Sequence, residues 1–208
     1  MAADASRNPT RETAARVVDS REFDLIFSGW FARVRDALVE SRKEADGATW
    51  ALVGIKRRGA ILARRLWDEL RKAVSPLLYG EVDISLYRDD YHIQTATPRV
   101  LGTEIPFRVD GVNILLVDDV LYTGRTVRAA MDLILDFGRP RVISLAVFVD
   151  RGHRELPIAA NFIGKEVLTA RRDLVRVRLK ELSEEDGVEL IRWPDSAGSK
   201  GGSAGSGV

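Results

Sequence analysis

The 208-residue sequence contains no cysteine, which excludes disulfides and thiolate metal sites and fits a reducing compartment. Histidine is nearly absent too: His92 and His153 are the only two, too few for a histidine-rich metal centre. No apolar run approaches the roughly 18 residues of a membrane-spanning helix, and the opening "MAADASRNPTRETAAR" has no hydrophobic signal region. Charge of one sign is not in excess, since the formal net charge is +1, so bulk electrostatics announce neither a nucleic acid nor a membrane. These absences point to a cytoplasmic protein. Its 45% hydrophobic content is enough for one well-buried core.

Residues 1–16 are small, polar and charged, and are expected to be disordered; 195–208 read as a flexible Gly/Ser tail. The folded unit is expected over 17–194. Asp19 and Glu22 form a capping-box pattern, and Phe23, Ile26, Phe27, Trp30, Phe31, Val34 and Leu38 follow helical spacing, so a helix is expected over 20–41. "TWALVGI" (49–55) reads as a buried strand, 59–73 as an amphipathic helix and "VDISLY" (82–87) as a strand. The stretch 88–110 lacks periodicity and is long enough to be a functional loop. "NILLVDD" is a further strand, 125–137 a helix stopped by Gly138 and Pro140, and 142–149 a strand, with short strands near 161–163 and 174–179. Alternation of strands and helices predicts an α/β fold, a mostly parallel sheet flanked by helices. Ligands bind such sheets beyond the carboxyl ends of the strands. Three polar clusters follow strand ends, "KRRG" (56–59), "DDVLYTGRT" (118–126) and "DRGHRE" (150–155), and are expected to share one rim.

The middle cluster carries most of the chemistry. Asp118 and Asp119 stand side by side, and "YTGRT" leads into a helix start. There the backbone N–H groups, threonine hydroxyls and helix dipole favour an anion, and Gly124 allows close approach. Carboxylates suited to a vicinal diol, next to a phosphate cradle, describe a ribose 5-phosphate. A capped helix with solvated acids is the bland alternative.

"LLVDDVLYTGRT" resembles the 5-phosphoribosyl-1-pyrophosphate (PRPP) motif of type I phosphoribosyltransferases. With "DISLYRDD", "FGRP" and "VDRGHRELPI" it resembles the PyrR family, bifunctional pyrimidine operon regulators and uracil phosphoribosyltransferases, over about Val17 to Trp193. The resemblance implies a type I phosphoribosyltransferase fold with a flexible loop and a hood over the site. It implies transfer from PRPP to uracil, giving UMP and pyrophosphate, with Mg²⁺ held mainly by PRPP and water and not by a protein metal site. Asp118 and Asp119 would hold the ribose hydroxyls. Val120, Leu121, Tyr122, Thr123, Gly124, Arg125 and Thr126 would cradle the 5-phosphate. Arg57 and Arg58 would meet the diphosphate, although Arg57 stands where the family more often has threonine. Arg88 would touch pyrophosphate from the flexible loop, and Arg151 and Val175 would lie near the base. His153 would either serve the site or hold the turn.

The resemblance also implies binding of pyrimidine-operon mRNA in response to UMP or UTP. Arg154, Lys165, Arg171 and Arg172 are the candidate RNA face. Ser28, Gly29, Ala32 and Ala159 stand where relatives carry RNA-facing polar or basic residues, which removes phosphate contacts. The aromatic first helix and the family's habit point to a homodimer or a higher homo-oligomer.

Overall fold

A computed structural model describes residues 13–44, 49–85 and 102–192. Its elements run β1 (Thr13–Val18), α1 (Ser20–Glu44), β2 (Trp50–Ile55), α2 (Arg58–Leu70), β3 (Leu77–Val82), β4 (Asn113–Leu121), α3 (Arg125–Asp136), β5 (Val142–Asp150), β6 (Phe162–Glu166), β7 (Leu174–Arg178) and β8 (Gly187–Arg192). A five-stranded parallel sheet has the order β3-β2-β4-β5-β6, and a separate antiparallel sheet has the order β1-β8-β7.

The central strands carry continuous apolar runs, at 50–55, 114–117 and 145–149, because helices cover both sides of the sheet. All six residues of β2 are buried. Side chains alternate between faces with the period of two that a strand imposes. Leu52, Leu115, Val117 and Phe148 join one core with Phe23, Trp30, Val34 and Leu38 of α1 and Leu62, Leu66 and Leu70 of α2. Ala51, Val53, Ile114, Leu116 and Val147 face the other way, onto Val127, Ala130, Leu133 and Ile134 of α3. The small sheet packs into the first core through Val175, Val177, Val188 and Leu190.

α1 begins as its sequence predicts: the Glu22 amide donates to the Asp19 carboxylate at 2.8 Å. Its aromatic residues are used within the chain. Phe23 and Trp30 are buried against Phe148, with ring centroids 4.3 and 5.8 Å away, and Phe27 and Phe31 pack on the same core. They therefore carry no argument for an oligomer.

Several expectations change. Residues 13–16 are not outside the fold, because β1 pairs with β8 from Thr13↔Arg192 onward. β8 itself was not expected. The strand placed at 82–87 lies five residues earlier, at Leu77–Val82; 83–84 are not strand, and 86–87 fall outside the described residues. Gly80 permits this placement: a Cβ there would stand 2.9 Å from the Glu104 carbonyl oxygen, on the segment that bridges to Glu81. Arg88, His92 and most of the expected flexible loop lie outside the described residues, as do the first 12 residues and 193–208. Among the described residues no helix is long and apolar enough to cross a membrane.

Candidate active site

The strand ends that were expected to share a rim do so. A cleft of about 620 Å³ is lined by Lys56, Arg57 and Arg58 after β2, by Asp118, Asp119, Val120 and Tyr122 on β4 and its loop, by Thr126 in the first turn of α3, and by Arg151 after β5. Asp83, Ile84 and Ser85 close it beyond β3, and Leu174 and Val175 of β7 close it from the small sheet. Parallel pairing sets this geometry. β2 and β4 run in register from Trp50↔Asn113 to Gly54↔Val117, so their carboxyl ends deliver the basic loop and the paired acids together.

Both crossover helices begin at this cleft. α2 starts at Arg58 and α3 at Arg125; neither N-cap residue makes a side-chain cap bond, and neither helix has an acid in its first turn. At α3 the Arg125 amide donates to Thr123 Oγ1; the N–H groups that follow it, those opening α2 and both helix dipoles favour an anion. The α3 N-cap is Gly124 with φ 92°, a left-handed conformation that glycine adopts without penalty. α2 approaches β4 so closely that a Cβ on Gly59 would lie 2.6 Å from the Val117 carbonyl oxygen and 2.9 Å from the Asp118 Cα. The Lys56–Arg57 peptide is cis.

The acids differ in setting. Asp118 is buried, and its Oδ1 accepts the Asp119 amide at 2.9 Å. Burial pushes the Asp119 carboxyl above its ordinary range, opposed by the Arg58 charge and a hydrogen bond with Asp118. Asp83 shifts the other way. Its hydrogen bond from the Ser85 hydroxyl outweighs burial and holds its carboxyl low. Sequence reasoning missed Asp83, Ile84, Ser85 and Leu174. With β3 placed correctly, Asp83 is an acid at a strand's carboxyl end, the same signal that exposed Asp118. Among the described residues no group of three or more His, Cys, Asp or Glu side chains is placed to hold a metal.

The loop after β4 is held from behind. Arg154 donates to the carbonyls of Tyr122 at 2.7 Å, Ile158 at 3.0 Å and Gly152 at 3.1 Å, and pairs with Asp150. Thr123 O accepts the amides of Glu155 and Leu156 at 3.0 and 3.2 Å. Arg154, expected on an RNA face, is a tie within the site's framework, with its donors on backbone carbonyls and the Asp150 carboxylate. Lys165 is likewise drawn into an ion pair with Glu22 of α1 at 2.5 Å. Arg171 is largely exposed and stands 3.6 Å from Glu155, while Arg172 lines a shallow hollow with Leu168 and Arg192.

Of the expected cradle, Val120, Tyr122 and Thr126 line the cleft. Leu121 is buried in the core beneath α3, contributing only its backbone, and its carbonyl accepts the Arg151 amide at 3.1 Å. Arg125 is exposed and paired with Glu155 at 2.9 Å, and Thr123 Oγ1 accepts the Arg125 amide at 3.3 Å.

Arg151 is buried. It donates to Asp173 O at 2.5 Å and Ala170 O at 2.9 Å, and lies over the Tyr122 ring at 4.1 Å. Burial pulls its guanidinium below its ordinary value. Among the described residues its Nε has no partner. Arg151 thus organises the turn that leads into β7 and hence into Val175. His153 adopts φ 61°, and its Nε2 lies 2.8 Å from Thr169 O, a bond that holds the turn.

The sequence profile of the phosphoribosyl transferase domain matches residues 28–177. The chain is 51% identical over 144 residues to "Bifunctional protein PyrR" of Elusimicrobium minutum, covering 69% of this chain and 80% of that one. It is 51% identical over 161 residues to the protein of the same name from Thermus aquaticus, covering 76% and 87%. Among solved structures, a hypoxanthine phosphoribosyltransferase from Trypanosoma cruzi superposes with TM-score 0.64 at 15% identity, covering 89% of this chain and 97% of that one. Another from Staphylococcus aureus gives TM-score 0.56 at 18% identity, covering 88% and 92%. These two speak for the fold alone, a parallel sheet between helices with the cleft at its carboxyl edge. The matched profile and the close relatives go further: the chain belongs to the phosphoribosyl transferase domain family and, within it, to the PyrR family.

Proposed function

We propose that the protein is a cytoplasmic uracil phosphoribosyltransferase, converting uracil and PRPP to UMP and pyrophosphate. One observation carries the sugar-phosphate half of this reading. Two helix starts, neither capped by its N-cap side chain and neither with an acid in its first turn, open on one cleft beside the paired carboxylates Asp118 and Asp119. PRPP needs two anion sites flanking a diol, and this arrangement supplies them.

In the reaction the bond from ribose C1 to the diphosphate oxygen breaks, uracil N1 bonds to C1, and the N1 proton is lost. C1 passes through a state with oxocarbenium character. Asp118 and Asp119 accept hydrogen bonds from the 2- and 3-hydroxyls and place negative potential beneath that carbon. The α3 start, with Thr123, Gly124 and Thr126, receives the 5-phosphate. Arg57, Arg58 and the α2 start receive the leaving diphosphate. Arg88 is assigned to the pyrophosphate by resemblance. Mg²⁺ would come as a companion of the substrate and would neutralise diphosphate charge, with Asp83, Asp118 and Asp119 as the acids of the cleft that could meet it. The base would lie against Tyr122, Leu174 and Val175, beside Arg151.

Formation of UMP from PRPP, uracil and Mg²⁺ tests the reading, with orotate and hypoxanthine as competing acceptors. Asp118→Asn and Asp119→Asn should each lower kcat/KM by roughly a hundredfold, as for loss of groups that stabilise developing charge. Unchanged activity in both would refute the diol assignment, and preference for another base would refute uracil.

The relatives' shared description as bifunctional supports a second reading, UMP- or UTP-responsive binding of pyrimidine-operon RNA. Arg171 and Arg172 would be its main phosphate contacts, because both are exposed, whereas Arg154 and Lys165 are part-buried in bonds within the chain. Homo-oligomer formation belongs to the same proposal. UMP-dependent retention of leader RNA at physiological salt would support it, and none at any salt would refute it.

A further inference from the structure

The two sheets share an apolar core, and two cations tie them: Arg151 holds the turn into β7, and Arg65 holds the far end of that strand. Arg65 lies about two turns along α2 from the cleft and is largely buried. Its Nε and Nη2 donate to Glu181 at 2.9 and 2.5 Å, and its Nη1 and Nη2 donate to Asp186 at 3.0 and 2.8 Å. Both acids belong to the turn between β7 and β8. That turn is also held by Ser20 Oγ, which donates to Asp186 O at 2.9 Å, and by the Asp186 carboxylate, which accepts the Lys180 amide at 2.8 Å. Arg65 itself lies over the Phe23 ring of α1 at 5.8 Å.

Apolar contact between Val175, Val177 and the helices favours docking of the small sheet but is non-directional. A two-carboxylate fork is directional. β7 runs from Leu174 and Val175, in the cleft, straight to the turn that Arg65 grips. α2 begins at the loop assigned to diphosphate. One buried cation therefore spans the base side and the diphosphate side of the site.

We propose that Arg65 is a positioning residue that, through Glu181 and Asp186, fixes Leu174 and Val175 relative to the diphosphate loop and so sets affinity for the base. The inference rests on the phosphoribosyltransferase reading and places the effect in the acceptor half of that site. Burial alone would lower the guanidinium's pKa, and the bonds to the two acids reverse that and raise it, so the fork is charged at every working pH.

Arg65→Met, Arg65→Lys and Glu181→Gln test it in the full chain. Arg65→Met should raise KM for uracil about tenfold, the scale of a lost charge-assisted fork, and leave KM for PRPP within about twofold. Lysine keeps the charge but not the fork and should recover only part of the loss. Glu181→Gln, at a half-exposed position, should shift the same constant by a smaller factor and guards against misfolding of Arg65→Met. Calorimetry supplies a turnover-free comparison: UMP binding should weaken and ribose 5-phosphate binding should not. Hydrogen exchange should accelerate in 174–178 and not in α3. Equal rises in both KM values, a pure loss of kcat, or unchanged exchange in 174–178 would overturn the proposal. If wild type binds UMP no better than ribose 5-phosphate, the base assignment fails, and the exchange result still decides the clamp.

Discussion

Gly59→Ala isolates what close packing contributes to the cleft. The added Cβ would meet the Val117 carbonyl oxygen at 2.6 Å, the Asp118 Cα at 2.9 Å and the Asp118 Oδ1 at 3.1 Å. Val117 and Asp118 cannot retreat, because β4 is paired on both sides, to β2 and to β5. The start of α2 must therefore move, by roughly half an ångström or more if ordinary contact distances are to be restored. Overpacking of this kind costs about 1–3 kcal/mol. Replacing a helical glycine by alanine returns about 1 kcal/mol. The net loss is about 1 kcal/mol, or roughly 2–4 °C in Tm for a chain of this size. Activity should suffer far more. The displaced segment carries Arg57 and Arg58, and misplacement of about 1 Å costs on the order of a hundredfold. We expect kcat/KM for PRPP to fall between about tenfold and a hundredfold, measured by UMP formation at varied PRPP alongside differential scanning calorimetry. Gly111→Ala is the control. Its Cβ would meet nothing within 4 Å, but φ is 73°, so it loses comparable stability far from the cleft and should keep full activity. A folded Gly59→Ala with wild-type kcat/KM for PRPP, or a Gly111→Ala equally impaired, would refute the reasoning.

Burial raises the Asp119 carboxyl's pKa, so the ionised form is disfavoured in the folded chain and its destabilising effect grows as pH rises through that raised value. Asp119→Asn should therefore raise the ligand-free Tm at pH 7, with the gain shrinking at acid pH, even as PRPP turnover is lost; a lower Tm at pH 7 would contradict this. Arg154→Ala strips hydrogen bonds from the Tyr122, Gly152 and Ile158 carbonyls, and should cost about 3 kcal/mol, or roughly 6–12 °C in Tm, and raise KM for PRPP. If it impaired only RNA binding, its place in the framework would be wrong. Glu181 and Asp186 are held below their ordinary carboxylate values, the first chiefly by its Arg65 hydrogen bond, the second by Arg65 against the opposing effect of burial. Their contribution is present above pH of about 4.5 and is lost as pH falls through the lowered folded values, so urea unfolding of Arg65→Met should show a shallower acid dependence than wild type.

The central sheet was legible because β2, β4 and β5 carry continuous apolar runs at 50–55, 114–117 and 145–149, and such runs bounded by polar clusters have few other uses in a chain this size. The paired acids and the glycine before α3 were legible for a local reason: their chemistry is contained in ten consecutive residues. What was hidden depends on distant partners. β1 and β8 are short and weakly patterned, and pair across almost the whole chain. β3 contains Gly80 and Glu81, which argue against a strand until the Glu104 segment is seen covering them. Arg154 and Arg65 look like ordinary surface cations in sequence. Only the direction of nearby carbonyls and carboxylates makes one a loop tie and the other a clamp.

The division of the interior into two cores divides the site as well. Val175 and Val177, proposed for the acceptor side, pack in the layer built with α1 and α2, whereas the 5-phosphate cradle proposed at the start of α3 rests on the other layer. Substitutions that repack the first layer reach the base side and the diphosphate loop at the start of α2 together, because α2 belongs to that layer. The 5-phosphate cradle, resting on the other layer, is the part of the site that such repacking leaves alone.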